Sequence, residues 1–106
     1  MPHYMFRASY TQQGIQGVMK EGAASRIAAV SAMAASVGGR IDSAYWAFGD
    51  DDFFAIGELP DNEAAMAIAA TVGASGTSRV TTTVLLTAAE VDEALARRVA
   101  FRAPGA

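Results

Sequence analysis

Residues 38–61 read GGRIDSAYWAFGDDDFFAIGELPD, and this stretch decides how the rest of the chain is arranged. Two segments rich in aromatic and aliphatic residues, 40–48 and 52–59, are separated only by the turn-forming sequence Gly-Asp-Asp. Because so short a connection joins antiparallel strands, the stretch predicts a β-hairpin. A glycine pair precedes the hairpin and a Pro-Asp step follows it, so a helix is expected to end before it and another to begin after it.

The residues before the hairpin predict one strand and one main helix. Residues 3–10 alternate with bulky side chains on both faces, which is typical of a central strand. Thr11 can cap a short helical turn over residues 12–19, which Gly14 and Gly17 keep weak. A longer helix is predicted over residues 23–37, where an apolar stripe suits packing on a sheet, and Gly38-Gly39 ends it.

The residues after the hairpin predict a helix, a strand and a last helix. Residues 62–72 are rich in alanine and follow a capping aspartate, so they predict a helix. Residues 79–86 are dense in β-branched side chains and predict the fourth strand. Thr87 and Glu90 form a capping-box pattern that opens the last helix, and its apolar stripe runs to Val99.

The predicted order of elements is β-α-β-β-α-β followed by a C-terminal helix, within a single domain of residues 1–106. This order is typical of the α+β ferredoxin-like split βαβ fold, which has one antiparallel sheet with two helices on one face. The other face of such a sheet is left uncovered. We therefore expect self-association, as a homodimer of the dimeric α/β-barrel type or a higher oligomer.

The composition excludes several classes of function. About half of the residues (52%) are hydrophobic, 18% are charged, and the net charge is −3. No basic stripe with interleaved aromatic residues is present, so no nucleic-acid partner is expected. The chain has no cysteine, no apolar run long enough to span a membrane and no signal-peptide pattern, which predicts a cytoplasmic location. The glycines form no nucleotide-binding motif, and no cofactor is expected.

Five short motifs follow one another along the chain, namely Val37-Gly38-Gly39, Tyr45-Trp46, Gly49-Asp50-Asp51-Asp52, Glu58-Leu59-Pro60-Asp61 and Thr81-Thr82-Thr83. In their order and spacing they resemble the GYD domain family, from about Tyr4 to Glu90. The resemblance implies a small bacterial domain of the dimeric α/β-barrel type and no particular reaction. One position departs from the family pattern, because Asp51 stands where the family has the tyrosine of its name.

The chain offers two kinds of side chain for acid–base or metal chemistry. His3 is the only histidine, and it is interpreted either as a general base or metal ligand or, preferably, as an ordinary strand-end histidine. Asp50, Asp51 and Asp52 have the carboxylates that hard cations prefer. Adjacent side chains in a turn diverge, however, and aspartate is a common turn residue, so no metal site is expected.

Aromatic and basic side chains provide the remaining candidates. Tyr45 and Trp46 lie on opposite faces of one strand, and packing in a core or interface is favoured over a ligand platform for both. Arg7 and Arg79 become neighbours if the first and fourth strands pair, as the split βαβ order requires. Together they could bind a small carboxylate, or each could pair with an acidic residue across a subunit boundary.

Two functional hypotheses follow from these observations. The first is an oligomeric domain that binds a small molecule or a partner through its assembled sheet. The second is a cofactor-free enzyme resembling the monooxygenases and isomerases built on the same barrel. In the second hypothesis the substrate lies between sheet and helices, with His3, Arg7, Tyr45 and Trp46 as candidate lining residues. It requires a cavity of a few hundred Å³ lined by convergent polar groups.

Overall fold

The structure, a computed structural model, describes residues 1–106 and contains four strands and four helices. The hairpin predicted from residues 38–61 is present, and its two strands pair antiparallel with a bulge between Ile41 and Ser43. In chain order the elements are β1 (His3–Tyr10), α1 (Gln12–Glu21), α2 (Ala23–Ser36), β2 (Arg40–Trp46), β3 (Phe53–Glu58), α3 (Asn62–Ala74), β4 (Ser78–Leu85) and α4 (Ala88–Leu95).

The four strands form one antiparallel sheet in the order β2-β3-β1-β4. β1 is central, as its two bulky faces predicted, and it pairs with β4 along its whole length. This arrangement confirms the α+β ferredoxin-like fold. None of the four helices combines the length and the hydropathy that a membrane span requires.

Three of the four helices begin at side chains that accept a hydrogen bond from the first turn. Thr11, Asp61 and Thr87 accept from the backbone N–H groups three residues further along, at the starts of α1, α3 and α4 respectively. At α4 the capping box is complete, since Glu90 also accepts from the Thr87 backbone N–H. Such caps satisfy N–H groups that lack a partner within the helix, and all three positions were predicted from the sequence.

The prediction of a short turn after β1 is wrong, because α1 is a complete helix of ten residues. Two helices therefore connect β1 to β2 instead of one. A break at Gly22, whose φ is +89°, separates α1 from α2, and such a positive φ favours glycine. The contacts that stabilise α1 in spite of its glycines are made with a distant loop, which the local sequence pattern does not reveal.

The prediction that the last helix continues to Val99 is also wrong, because α4 ends at Leu95. No residue of α4 is buried, and Leu95 and Val99 are each more than three-quarters exposed. A short helix is marginal in water unless an amphipathic face packs against another element. The apolar stripe of α4 lacks such packing in the single chain, so the helix stops after two turns.

The core lies between the sheet and the helices α1, α2 and α3. Tyr4 and Phe6 of β1 pack with Ala34 of α2 and with Ala65 and Ile68 of α3. A smaller cluster at the other end of the sheet contains Ala8, Phe53 and Ala55. Only 12 of 106 residues are buried, so a large share of the apolar side chains remains exposed in one chain.

Candidate functional site

A cavity of about 420 Å³ lies between the sheet and the helices α1, α2 and α3. Its volume is within the range found for pockets that bind small molecules. The lining is mostly apolar. The sheet contributes Phe6, Ala8, Phe53, Ala55 and Val80, and the helices contribute Val18, Val30, Ala34, Ile68 and Val72. The cavity exists because small residues such as Ala8, Ala34 and Ala55 occupy positions where larger ones would fill the core.

The helix α1 forms one wall of the cavity and is attached to the loop before β4. The backbone N–H of Thr11 donates to the carbonyl of Thr77 (3.0 Å), and the Thr11 hydroxyl donates to the carbonyl of Gly76 (2.8 Å). At Gly14 a Cβ atom would lie only 1.8 Å from the Thr77 carbonyl oxygen, so this close approach requires glycine. These contacts fix the N-terminal end of α1 relative to the cavity.

Three titratable side chains line the cavity, namely Tyr10, Glu21 and Arg26. Arg26 Nη1 lies 3.4 Å from Glu21 Oε1, and both side chains are about one-third exposed. Burial raises the pKa of the Tyr10 hydroxyl, although Trp46 and Arg26 oppose the rise. The Tyr10 hydroxyl therefore stays protonated at neutral pH and can donate a hydrogen bond into the cavity.

The acidic turn of the hairpin is attached to the end of β1, beside Tyr10. The backbone N–H of Tyr10 donates to Asp52 Oδ2 (2.8 Å), and the backbone N–H of Asp52 donates to the carbonyl of Ala8 (2.8 Å). Asp51 Oδ1 lies 3.4 Å from the Ser9 hydroxyl. Asp52 thus has a structural role at this corner, and no three His, Asp or Glu side chains converge there or elsewhere as a metal-binding group.

The face of the sheet opposite the helices, here called the open face, carries most of the remaining candidate residues. Strand pairing arranges its side chains in rows across β4, β1, β3 and β2, because directly paired residues point to the same face. The rows are Leu85, His3, Glu58 and Arg40; then Thr83, Met5, Ile56 and Ser43; then Thr81, Arg7, Phe54 and Tyr45; and finally Arg79 and Ser9.

Arg7 and Arg79 occupy adjacent rows of the open face, on neighbouring strands, as predicted. Arg7 pairs with Thr81, two residues from Arg79. Tyr45 lies on the same face and is 70% exposed. Arg7 Nε is buried without a hydrogen-bond partner, and so is Nδ1 of His3. Unpartnered buried polar atoms are uncommon in folded proteins.

At one end of the open face a chain of charged groups crosses three strands. His3 Nε2 lies 3.5 Å from Glu58 Oε1, and Glu58 also pairs with Arg40. Arg40 Nε in turn contacts Asp42 Oδ1 at 2.9 Å. The hydrogen bond that Arg40 donates to Asp42, together with the charges of Glu58 and Asp42, raises the pKa of Arg40, so its charge persists throughout the accessible pH range.

The family model of the GYD domain matches residues 4–95, from the second residue of β1 to the last residue of α4. The chain belongs to the GYD domain family. No curated protein and no solved structure matches it. The family assignment confirms the resemblance found in the sequence.

In this GYD domain none of the four residues predicted to line a cavity between sheet and helices does so. His3, Arg7 and Tyr45 lie on the open face, away from the helices. Trp46 lies on the helix side, where its ring packs on Phe53 with ring centroids 4.9 Å apart, next to the cavity without lining it. Alternation along a strand fixes which residues share a face, but it does not say which face the helices cover.

The residues that do line the cavity were missed as site candidates by the sequence analysis. Tyr10 has the same strand parity as Phe6 and Ala8, and this spacing could have placed it on the helix side. Glu21 and Arg26 lie on either side of the break at Gly22. No local pattern brings them together, because α1 was not predicted to extend to residue 21.

Proposed function

We propose that this GYD domain binds a small, largely apolar molecule in the cavity between its sheet and its helices. The observation that carries the proposal is the cavity itself, because about 420 Å³ of space with an apolar lining is unusual in the core of so small a domain. Apolar surface in a cavity that opens to solvent becomes more stable when a complementary molecule displaces the water and fills the space.

The polar groups at the cavity define the chemistry of the ligand. The Tyr10 hydroxyl is a neutral donor and acceptor, and the ion pair of Glu21 and Arg26 offers both a charged acceptor and a charged donor. A compact ring system with one hydroxyl or carbonyl group fits this arrangement. Such a ligand would bury its ring among Phe6, Ala55 and the helices and direct its polar group towards Tyr10.

A titration with 2-naphthol, followed by ¹⁵N-resolved NMR, tests the proposal. This probe has an aromatic body and a single hydroxyl group. We expect saturable shifts of the backbone amides of Gly14, Val30, Ala55 and Val80, which line the cavity from three sides. Shifts confined to Met5, Ile56 and Tyr45 would place the probe on the open face, and the absence of saturable shifts would also contradict the proposal.

We also propose that two copies of the domain associate through their open faces. The centre of this face is apolar (Met5, Phe54 and Ile56), and its rim is charged, as in protein–protein interfaces. Arg7 is half-buried on this face and forms no ion pair within the chain, so a second copy can supply an acceptor for its guanidinium group. In this assembly Arg7, Arg79 and Tyr45 are interface residues.

Sedimentation equilibrium at micromolar concentration tests the association. Ile56→Arg puts a charge in the centre of the open face, and Met66→Arg puts the same side chain on the exposed surface of α3 as a control. We expect the wild type and Met66→Arg to be dimers or larger, and Ile56→Arg to be a monomer that remains folded. A monomeric wild type, or an unchanged mass for Ile56→Arg, would contradict the open-face interface.

A second candidate function, a cofactor-free enzyme, is favoured by the presence of Tyr10, Glu21 and Arg26 at the same cavity. Tyr10 could donate a proton and Glu21 could accept one from a bound substrate. Mass spectrometry of small molecules extracted from the purified protein distinguishes the two functions. An enzyme should yield a substrate together with its product and lose the product in Tyr10→Phe, whereas a binding protein should yield one unchanged compound in both proteins.

A further inference from the structure

The C-terminal arm, defined as residues 96–106, combines positive charge with exposed apolar side chains. It contains Arg97, Arg98 and Arg102 and no acidic residue, a net charge of +3. Residues 1–95 contain the other five basic residues and all eleven acidic ones, a net charge of −6. Val99 and Phe101 are both about 80% exposed. Arg97 pairs with Glu93 of α4, whereas Arg98 and Arg102 have no acidic partner in the chain, so the arm has the composition of a docking segment.

The acidic turn, defined as residues 48–52, has the complementary composition. Phe48 is fully exposed, which is rare for so large an apolar side chain. Asp50 and Asp51 follow it, and neither carboxylate has a basic partner in the chain. The acidic turn therefore presents an exposed ring, Phe48, beside negative charge, and the arm presents an exposed ring, Phe101, beside positive charge. The two segments are complementary.

Within one chain the arm and the acidic turn lie at opposite ends of the sheet. β4 ends beside His3, where β1 begins, and the arm follows α4 from there. The acidic turn is attached to Ser9 and Tyr10, where β1 ends. Eight residues of strand separate these ends by about 26 Å. The long axis of the molecule is 57 Å, against 33 Å and 23 Å for the others, and every residue of α4 and the arm is exposed.

We propose that the arm of one copy docks on the acidic turn of a second copy of this chain. Phe101 and Val99 pack against Phe48, while Arg97, Arg98 and Arg102 lie near Asp50 and Asp51. A two-fold axis that places the sheets antiparallel brings each arm to the partner's turn, so that a dimer has two such contacts.

This inference extends the proposed association through the open faces and rests on it. Four strands of about eight residues present a face of about 19 Å by 26 Å, or about 500 Å². A stable interface of standard size buries about 800 Å² on each partner. The open face alone is smaller than that area, and an exchanged arm adds to the surface that the two copies bury.

Disulfide trapping tests the contact, because the chain has no cysteine that could interfere. Phe48→Cys and Phe101→Cys are prepared as separate chains of distinguishable mass, mixed and oxidised. We expect a disulfide that joins position 48 of one chain to position 101 of the other. Met66→Cys is the control partner, since residue 66 is exposed on α3. Equal trapping at position 66, or a disulfide formed only within a chain that carries both Phe48→Cys and Phe101→Cys, would overturn the proposal.

Charge reversal gives a second readout that separates this inference from the open-face interface. Arg97→Glu with Arg98→Glu should weaken dimerisation by about tenfold or more, as should Asp50→Arg with Asp51→Arg. Mixing the two variants should restore the wild-type affinity in the heterodimer, whereas Lys20→Glu should have little effect. A dimer that is indifferent to both reversals would overturn the arm contact and leave the open-face interface standing. A monomeric wild type would contradict both the arm contact and the open-face interface.

Discussion

At the scale of single residues, two glycines on the same helix are expected to respond in opposite ways to substitution. At Gly14 an added Cβ meets the Thr77 carbonyl, whereas at Gly17 it meets nothing within 4 Å. We expect Gly14→Ala to lower the free energy of unfolding by about 3 kcal/mol, because the backbone must shift. Gly17→Ala should raise it by up to about 1 kcal/mol, because alanine favours the helix.

Urea denaturation of both variants measures the difference directly. Both variants replace a glycine of α1 with alanine, so each is a control for the other. Equal effects of the two substitutions would mean that α1 does not approach the loop before β4 as closely as described.

A buried tyrosine should make the stability of the domain sensitive to alkaline pH. Burial raises the pKa of Tyr4, and so do the nearby charges of Asp61 and Glu63. Below the ordinary tyrosine pKa of about 10 the hydroxyl is protonated in both the folded and the unfolded state. Above that pH the unfolded state ionises first, so the free energy of unfolding falls as the pH rises towards the pKa of the folded state.

Tyr4→Phe isolates this contribution. The Tyr4 hydroxyl donates to Asn62 Oδ1 (2.7 Å), so the variant should lose about 1 kcal/mol at pH 7. Between pH 10 and the pKa of the folded state its stability should fall less steeply than that of the wild type, by up to about 1.4 kcal/mol per pH unit. Guanidinium denaturation at several pH values checks this, and parallel pH profiles for the two proteins would contradict it.

Individual residues also show what the sequence could and could not predict. The caps at Asp61 and Thr87 were predicted, because they depend on residues three positions apart. The contact of Gly14 with Thr77 joins residues more than sixty positions apart, and no local pattern encodes it. The ion pair of Glu21 and Arg26 joins residues only five positions apart, but it depends on the extension of α1 to residue 21 and the break at Gly22, which were not predicted.

At the scale of secondary-structure elements, the hairpin is attached to β1 through one carboxylate. Asp52 accepts a hydrogen bond from the Tyr10 backbone N–H, whereas the Asp50 side chain is exposed and makes no such contact. We expect Asp52→Ala to lower the free energy of unfolding by about 1–2 kcal/mol, because it leaves a partly buried N–H unpaired.

The matched variant Asp50→Ala should change the stability by less than about 0.5 kcal/mol. Thermal or urea unfolding of the two variants under the same conditions provides the measurement. If Asp50→Ala were as destabilising as Asp52→Ala, the effect would come from the turn composition and not from the hydrogen bond to Tyr10.

Both errors in predicting the helices have one physical cause. Local helix propensity predicted too short an α1, and the apolar stripe predicted too long an α4. Neither signal includes the contacts that the helix makes with the rest of the fold. α1 is stabilised by a distant loop, and α4 finds nothing to pack against within the chain. Tertiary packing commonly outweighs intrinsic helix propensity.

At the scale of the whole molecule, the strand order followed from the sequence, but the position of the cavity did not. The order β2-β3-β1-β4 results from short connections and the split βαβ pattern. The cavity depends on how small residues on β1, β3 and α2 face one another, and this becomes visible only when the layers are assembled. The sequence predicted an uncovered sheet face, and the residues exposed there are the ones that the proposed dimer uses.

The central claim is that the cavity is a binding site, and a pair of variants tests it most directly. Gly17 lines the cavity and an added Cβ atom there meets nothing within 4 Å, so Gly17→Phe introduces a ring at the cavity wall. Gln16→Phe introduces the same ring at the adjacent position of α1, which does not line the cavity.

Isothermal titration calorimetry with 2-naphthol compares the two variants with the wild type. We expect Gly17→Phe to bind the probe at least about tenfold more weakly, a loss of about 1.4 kcal/mol, and Gln16→Phe to bind it as the wild type does. Wild-type affinity in Gly17→Phe, or an equal loss in both variants, would contradict the claim that the cavity is the binding site.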